Sequence, residues 1–199
     1  MNKKIFEPHL LESATLPFIF HFDTIDPDEP NISNWHRNIE LLYVTNGCGV
    51  VSCGSQKIDI NVGDIVIINS NVPHSFSTNY IVQYFCLIPD SDFCKCNDID
   101  TDNINFNTKI SDRVASELFD NVIHKFMHDT SAYRNASIKN AVMSLLVHIA
   151  KNHSNIQEEK GIGHKNEGVL LALGFLSAHI NEKISIEDLA DQAGLSKYV

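Results

Sequence analysis

"NWHRNIELLYVTNG", residues 34–47, decides how the chain is read. Val, Leu, Ile and Tyr fill its second half, which predicts a β-strand. Asn34, His36, Asn38 and Glu40 fall on alternate positions at its front. Side chains of a strand alternate between two faces, so an extended strand places these four polar groups on one face. That face is either wetted, as on an edge strand, or the lining of a site.

The flanking sequence continues the strand signal. "LPFIFHF" (16–22) sets Leu16, Phe18, Phe20 and Phe22 on one face. "GVVSC", "KIDI", "DIVIIN" and "YIVQYFCLI" follow at short intervals, separated by turn residues such as Gly54, Gly63 and "NSNVP". Short strands at this spacing predict a sandwich or barrel over about residues 16–90.

Near residue 110 the period changes. Val114, Leu118, Phe119, Val122, Ile123, Phe126 and Met127 recur at helical spacing, which predicts a helix over 111–129 capped by Ser111. Ile138, Ala141, Val142, Leu145, Leu146 and Ile149 predict a second over 136–152. Residues 153–166 are polar, carry two glycines and read as a linker. A third helix is expected to present Val169, Ala172, Leu173, Leu176 and Ile180.

Composition narrows the class. The 199 residues suffice for one domain plus an appendage, and 43% are hydrophobic. A net charge of −10 with no run of Lys or Arg makes the chain as a whole repel a polyanion. No secretory leader is evident, and no apolar run approaches the roughly 20 residues that span a bilayer. The five cysteines therefore read as reduced thiols in a cytoplasmic protein with no membrane partner. Cys48 and Cys53 are separated by an odd number of positions, so a strand points them apart; Cys94 and Cys96 read as free thiols in a turn. His124, His128, His148 and His153 read as surface or satisfied core histidines, not ligands.

The last segment is more specific. Ser185 is an N-cap after Ile184, Asp188 stands at the third helical position, and the short helix presents Ile186, Leu189, Ala190 and Ala193. Gly194 then supplies a turn, Leu195 an apolar plug and Ser196 another N-cap. This is the opening of a helix-turn-helix, or equally of a plain helical hairpin with a glycine turn.

"HINEKISIEDLADQAGLSKYV" (179–199) resembles the first half of the DNA-binding domain of AraC/XylS-type transcription regulators. Residues 34–76 resemble that family's cupin-like sensing domain, and the two lie in the family's order. The resemblance implies an α+β chain in three parts. Residues 1–152 form a cupin-like antiparallel β-barrel (a jelly roll) followed by a two-helix dimerisation element. Residues 153–166 form a linker, and 167–199 an incomplete helix-turn-helix domain. Because the chain stops at Val199, a partial gene product with incomplete DNA binding is expected. Ser196, Lys197 and Tyr198 are the DNA-binding candidates at the start of the recognition helix. A homodimer is expected through the helix pair, and operator DNA is a partner only of the full-length protein. The segment before Leu16 is the candidate for a ligand-sensitive arm.

A cupin site uses two motifs. The first resembles H-x-H-x(3)-E-x(6)-G and reads Asn34, His36, Glu40, Gly47 here. The second resembles G-x(5)-P-x-G-x(2)-H and reads Gly63, Asn69, Asn71, His74. Both spacings fit, while Asn34, Asn69 and Asn71 depart in type. His36, Glu40 and His74 remain a two-imidazole, one-carboxylate set suited to a first-row divalent ion. Asn34, a neutral amide where the motif has an imidazole, tilts the expectation toward a small-molecule site with no cofactor. There Asn34, His36, Asn38, Glu40 and His74 would offer fixed donors and acceptors to a sugar or similar metabolite. The alternative is a metal-dependent cupin enzyme, an isomerase or dioxygenase, using His36, Glu40 and His74.

Overall fold

The computed structural model describes residues 4–9, 11, 15–28, 31–156, 168, 171–172, 174–176, 179 and 182–194. The opening stretch is two strands, not one. β3 (Ser33–Trp35) ends before His36, and β4 (Glu40–Asn46) starts in a different sheet. The His36 ring nitrogen Nδ1 donates to the Asn38 carbonyl oxygen at 2.7 Å and closes a local turn. The alternating polar residues therefore mark a sheet-to-sheet crossing, not one face of one strand.

One sheet joins β1 (Lys4–Phe6), β3, β8 (His74–Ser77), β5 (Cys48–Cys53) and β6 (Gln56–Asn61) in that order. The other joins β11 (Lys109–Ile110), β7 (Ile65–Ile68), β4, β9 (Val82–Pro89) and β2 (Phe18–Ile25). Leu42, Val44, Val66, Ile68, Val82, Cys86 and Ile88 of the second sheet meet Val51, Cys53 and Ile60 of the first in a shared core. Two sheets closed over one core make the expected jelly roll. The pairing is antiparallel except at the edge, where β1 runs parallel to β3.

The outer face of the second sheet carries the helices. After α1 (Ser91–Lys95) come α2 (Arg113–His128) and α3 (Arg134–Asn152). Leu41, Ile65, Ile67 and Leu87 pack there against Phe119, Val122, Ile138, Leu145 and Leu146. β7, with sequence IVII, is buried at all four positions because both its faces are covered. Both helical stripes are largely spent on this packing, although Val114 and Met127 of α2 stay exposed.

Three boundaries differ from the sequence expectation. The α2 cap is Asp112, whose side chain accepts from the Val114 N–H, while Ser111 donates instead to Asp64 Oδ1 at 2.6 Å. The second helix begins at Arg134, two residues early. The linker is ordered at its start: β12 (Ser154–Ile156) pairs antiparallel with β10 (Ile104–Phe106). Backbone pairing of that kind leaves no apolar signature in Ser154 and Asn155. Cys94 lies in α1, not in a turn, and all five thiols are free. Residues 157–166, and Val169, Leu173 and Ile180 of the third predicted helix, lie outside the described residues. Farther on, α4 (Ile186–Gln192) carries the expected capping box of Ser185 and Asp188, and Gly194 follows at φ 62°. No helix among the described residues is long and apolar enough to cross a membrane.

Two positions yield direct tests. Gly47 sits at φ 81°, and a Cβ there would lie 2.2 Å from the Ile81 carbonyl oxygen. Gly47→Ala combines a left-handed backbone with a backbone clash, so a loss of more than about 1 kcal/mol is expected in urea unfolding. Asp64 is buried and accepts from Lys109 Nζ at 2.8 Å, Ser111 Oγ at 2.6 Å and the Asn61 N–H at 2.8 Å. Burial pushes its pKa up, but these donors outweigh burial and hold it below the usual range. A depressed carboxyl contributes stability that is present above the unfolded value, about 4, and lost as pH falls through the folded one. Asp64→Asn should therefore cost about 1–3 kcal/mol at neutral pH and flatten the acid side of the stability profile.

Candidate functional site

The sheet crossing brings the two sequence motifs together. His36 follows β3, Glu40 opens β4, and His74 opens β8. Glu40 has the inward parity of Leu42 and Val44, so its carboxylate enters the space between the sheets. His36 Nε2 lies 3.0 Å from Glu40 Oε2, and His74 Nε2 lies 3.5 Å from the same oxygen. Both imidazoles are buried, at 1% and 5% exposure.

Both rings are oriented from behind. His36 Nδ1 donates to the Asn38 carbonyl at 2.7 Å, and His74 Nδ1 donates to the Val72 carbonyl at 3.1 Å. With each Nδ1 proton committed, both Nε2 atoms are turned toward one carboxylate oxygen. The other oxygen, Oε1, accepts from the Cys86 thiol at 3.2 Å.

The cluster's electrostatics follow from that geometry. Burial disfavours a charged His36, but the hydrogen bond and charge of Glu40 outweigh it and raise its pKa. Burial works against the Glu40 carboxylate too, yet His36 and His74 bring it down to about 2. His74 is lowered, by burial first and by His36 as well, with Glu40 opposing. Burial and Glu40 push the Cys86 thiol well up, so it stays a neutral donor.

The donor set fits a divalent metal. Its three ligand atoms lie within 4.8 Å of one another, and Nδ1-to-carbonyl bonds are the usual support of metal-ligating histidines. His36, Glu40 and His74 would hold the ion.

The other sequence candidates go elsewhere. The Asn34 amide donates to Glu7 Oε2 at 3.2 Å, although its backbone pairs with His74. Asn38 Oδ1 accepts from the Ser91 N–H at 3.2 Å and ties the crossing to α1. Neither amide joins the cluster. The two departures in the second motif preserve its backbone. Asn71 takes φ 61° where the motif has Gly, a conformation that Asn tolerates. Asn69, in place of Pro, clamps Phe106 by accepting from its N–H at 2.8 Å and donating to its carbonyl at 2.9 Å. Ser196, Lys197 and Tyr198 lie outside the described residues.

Two residues were missed. Cys86 was legible, because it shares inward parity with Val82 and Ile88. His9 was not: it is a lone histidine in a segment without periodicity. Its ring packs tilted against His36, centroids 4.2 Å apart and planes at 42°, and its buried Nδ1 has no hydrogen-bond partner. Burial and the neighbouring His36 lower its pKa to about 4. The same N-terminal segment places Phe6 against the buried Trp35, centroids 4.7 Å apart. Two surface depressions of roughly 500 and 470 Å³ lie elsewhere and are lined by neither His36, Glu40 nor His74.

Residues 21–87 match the family model described as "Cupin domain". Over that segment the chain is similar to a cupin domain. No curated protein matches the chain. Among solved structures, ToxT from Vibrio cholerae is similar in fold, with a TM-score of 0.56 at 9% identity over 92% of this chain and 73% of that one. A cupin 2 conserved barrel domain protein from Rhodopseudomonas palustris matches at 20% identity and TM-score 0.36, over 40% of this chain. The match spans 57% of that protein's length. The DMSP lyase DddQ from Ruegeria pomeroyi DSS-3 matches at 16% identity and TM-score 0.35, over 37% of this chain and 38% of its own.

Proposed function

We propose that the chain is the effector-sensing part of an AraC-type transcription regulator. The cupin cluster takes a sugar or similar small polar metabolite, and α2 and α3 provide a homodimer contact. The observation that carries this reading is the set of contacts that joins the cluster to the N-terminal arm. His9 packs against His36, and Phe6 of the same arm packs on Trp35. A methyl at Gly174 would in turn lie 3.8 Å from Trp35 and 3.9 Å from Phe6. A ligand that displaces His9 thus acts on the arm whose Phe6 packs on Trp35. Such a ligand shifts the arm between two arrangements in proportion to its differential affinity for them. The capping box, Gly194 and the fold likeness to ToxT across 92% of the chain support the regulatory reading. Ser196, Lys197 and Tyr198 are the proposed start of the DNA-contacting helix.

A thermal-shift screen with mono- and disaccharides tests the sensing step, since a ligand of the native state raises Tm. The regulatory step needs the full-length protein. Operator affinity that ignores every ligand found in the screen would overturn it.

The second reading is a metal-dependent cupin enzyme of isomerase or dioxygenase type, and the two backbone-pinned imidazoles favour it. Stoichiometric Fe, Mn or Zn that is lost on His36→Ala or His74→Ala, together with turnover, would establish it. Protein purified without metal that still binds a sugar would exclude it.

A further inference from the structure

A second convergent cluster lies outside the barrel, on the helix pair. Asp112, the N-cap of α2, divides its carboxylate: Oδ1 accepts from the Val114 N–H at 2.9 Å, which leaves Oδ2 free of the cap. His148 Nε2, in the closing turns of α3, lies 2.6 Å from Oδ2. His153 Nε2, in the residue that ends α3, lies 2.8 Å from the same oxygen. The two rings pack with centroids 5.8 Å apart. The three ligand atoms lie within 4.8 Å of one another, and each side chain is between 20% and 24% exposed. The site is thus lined by protein and still open to water.

We propose that Asp112, His148 and His153 form a second divalent-cation site, selective for a borderline ion such as Zn(II), with a fourth position open to solvent.

Two imidazoles and a carboxylate are the donor types that zinc takes in three-ligand sites. Without an ion, each ring donates its Nε2 proton to Asp112, and the Asn152 amide faces His148 Nδ1 at 3.3 Å. Binding moves the ring proton of each imidazole to Nδ1 and frees Nε2 for the ion. At His148 the Asn152 amide keeps its bond to the His148 carbonyl, 2.8 Å away, and moves off Nδ1, whose proton then faces solvent. Zinc–nitrogen bonds of about 2.0–2.1 Å require the rings to draw back from Oδ2 by a few tenths of an ångström. Side chains at helix ends permit that movement. The ion would tie the start of α2 to the end of α3 and to β12 beyond it. The site does not depend on what the barrel binds.

The test titrates Zn(II) into the whole chain by calorimetry. The barrel cluster is disabled by His36→Ala and His74→Ala, and the exposed thiols are removed by Cys48→Ser and Cys96→Ser. One equivalent should bind. Adding His148→Ala or His153→Gln should each weaken it at least tenfold, as should Asp112→Asn, which keeps an oxygen for the cap. Zinc should raise the Tm of the parent and not of the His153 variant. If the barrel double variant does not fold, the comparison is made with the barrel intact, where loss of His148 or His153 should remove one equivalent from whatever total the parent binds. No binding, or affinity unchanged within twofold by loss of either histidine, overturns the proposal.

Discussion

Phe119→Ala is expected to cost about 3–5 kcal/mol, read as a lower denaturant midpoint. Phe119 has no exposed surface and sits where the barrel meets the helices. Its ring contacts Tyr43 of β4 at 5.1 Å and Phe20 of β2 at 6.4 Å, both measured between centroids. Truncation removes the transfer energy of the ring and leaves a cavity between two rigid layers that cannot collapse together. The transition should remain a single one, because the helices and the outer sheet face share this core. A loss under about 1 kcal/mol, or a transition split in two, would mean that the helices dock only loosely on the barrel.

The second large effect belongs to Glu40. Glu40→Ala removes the one carboxylate that His36, His74 and the Cys86 thiol all face. Deleting one partner of a buried ionic group costs about 3–5 kcal/mol, because the remaining groups stay desolvated. Glu40→Gln, which keeps the shape, should cost less and should still lose the charge-dependent part. In metal-free protein the pH profile has a worked sign. Glu40 is depressed to about 2, so its contribution is present above its unfolded value of 4.5 and lost as pH falls toward 2. His36 is raised above 6.5, so its contribution is full below 6.5 and lost as pH rises through the folded value. Their joint stabilisation therefore peaks between about pH 4.5 and 6.5. Both Glu40 variants should lack this maximum in unfolding experiments across pH 3–9.

Much of this was legible in the sequence because it is written in periodicity and spacing. The strand alternation in β2, β4 and β9 and the helical stripes around Phe119 and Leu145 specify two faces of burial each. The joining of His36 and Glu40 to His74, about 40 positions on, was legible through the resemblance of both spacings to the two cupin motifs. One continuous strand does not hold Asn34 and Glu40 together: β3 ends at Trp35, and Glu40 opens a strand of the other sheet. The crossing at residues 36–39 is held by a ring-to-carbonyl bond that no pattern of residue types announces. His9 escaped for a related reason: its place depends on a parallel edge pairing of β1 with β3, and such pairing is non-local. Asp112, His148 and His153 meet only because one helix starts where the other ends.

Trp35 is the chain's sole tryptophan, and it is 4% exposed beside Phe6. The molecule therefore carries its own optical gauge of the arm. Excitation at the indole band should give the blue-shifted emission of an apolar setting while the arm is docked. Emission should move to longer wavelength whenever an added solute lifts Phe6 away. A plate of candidate metabolites can be ranked by that colour change alone, without a label, a promoter fragment or an assay for turnover.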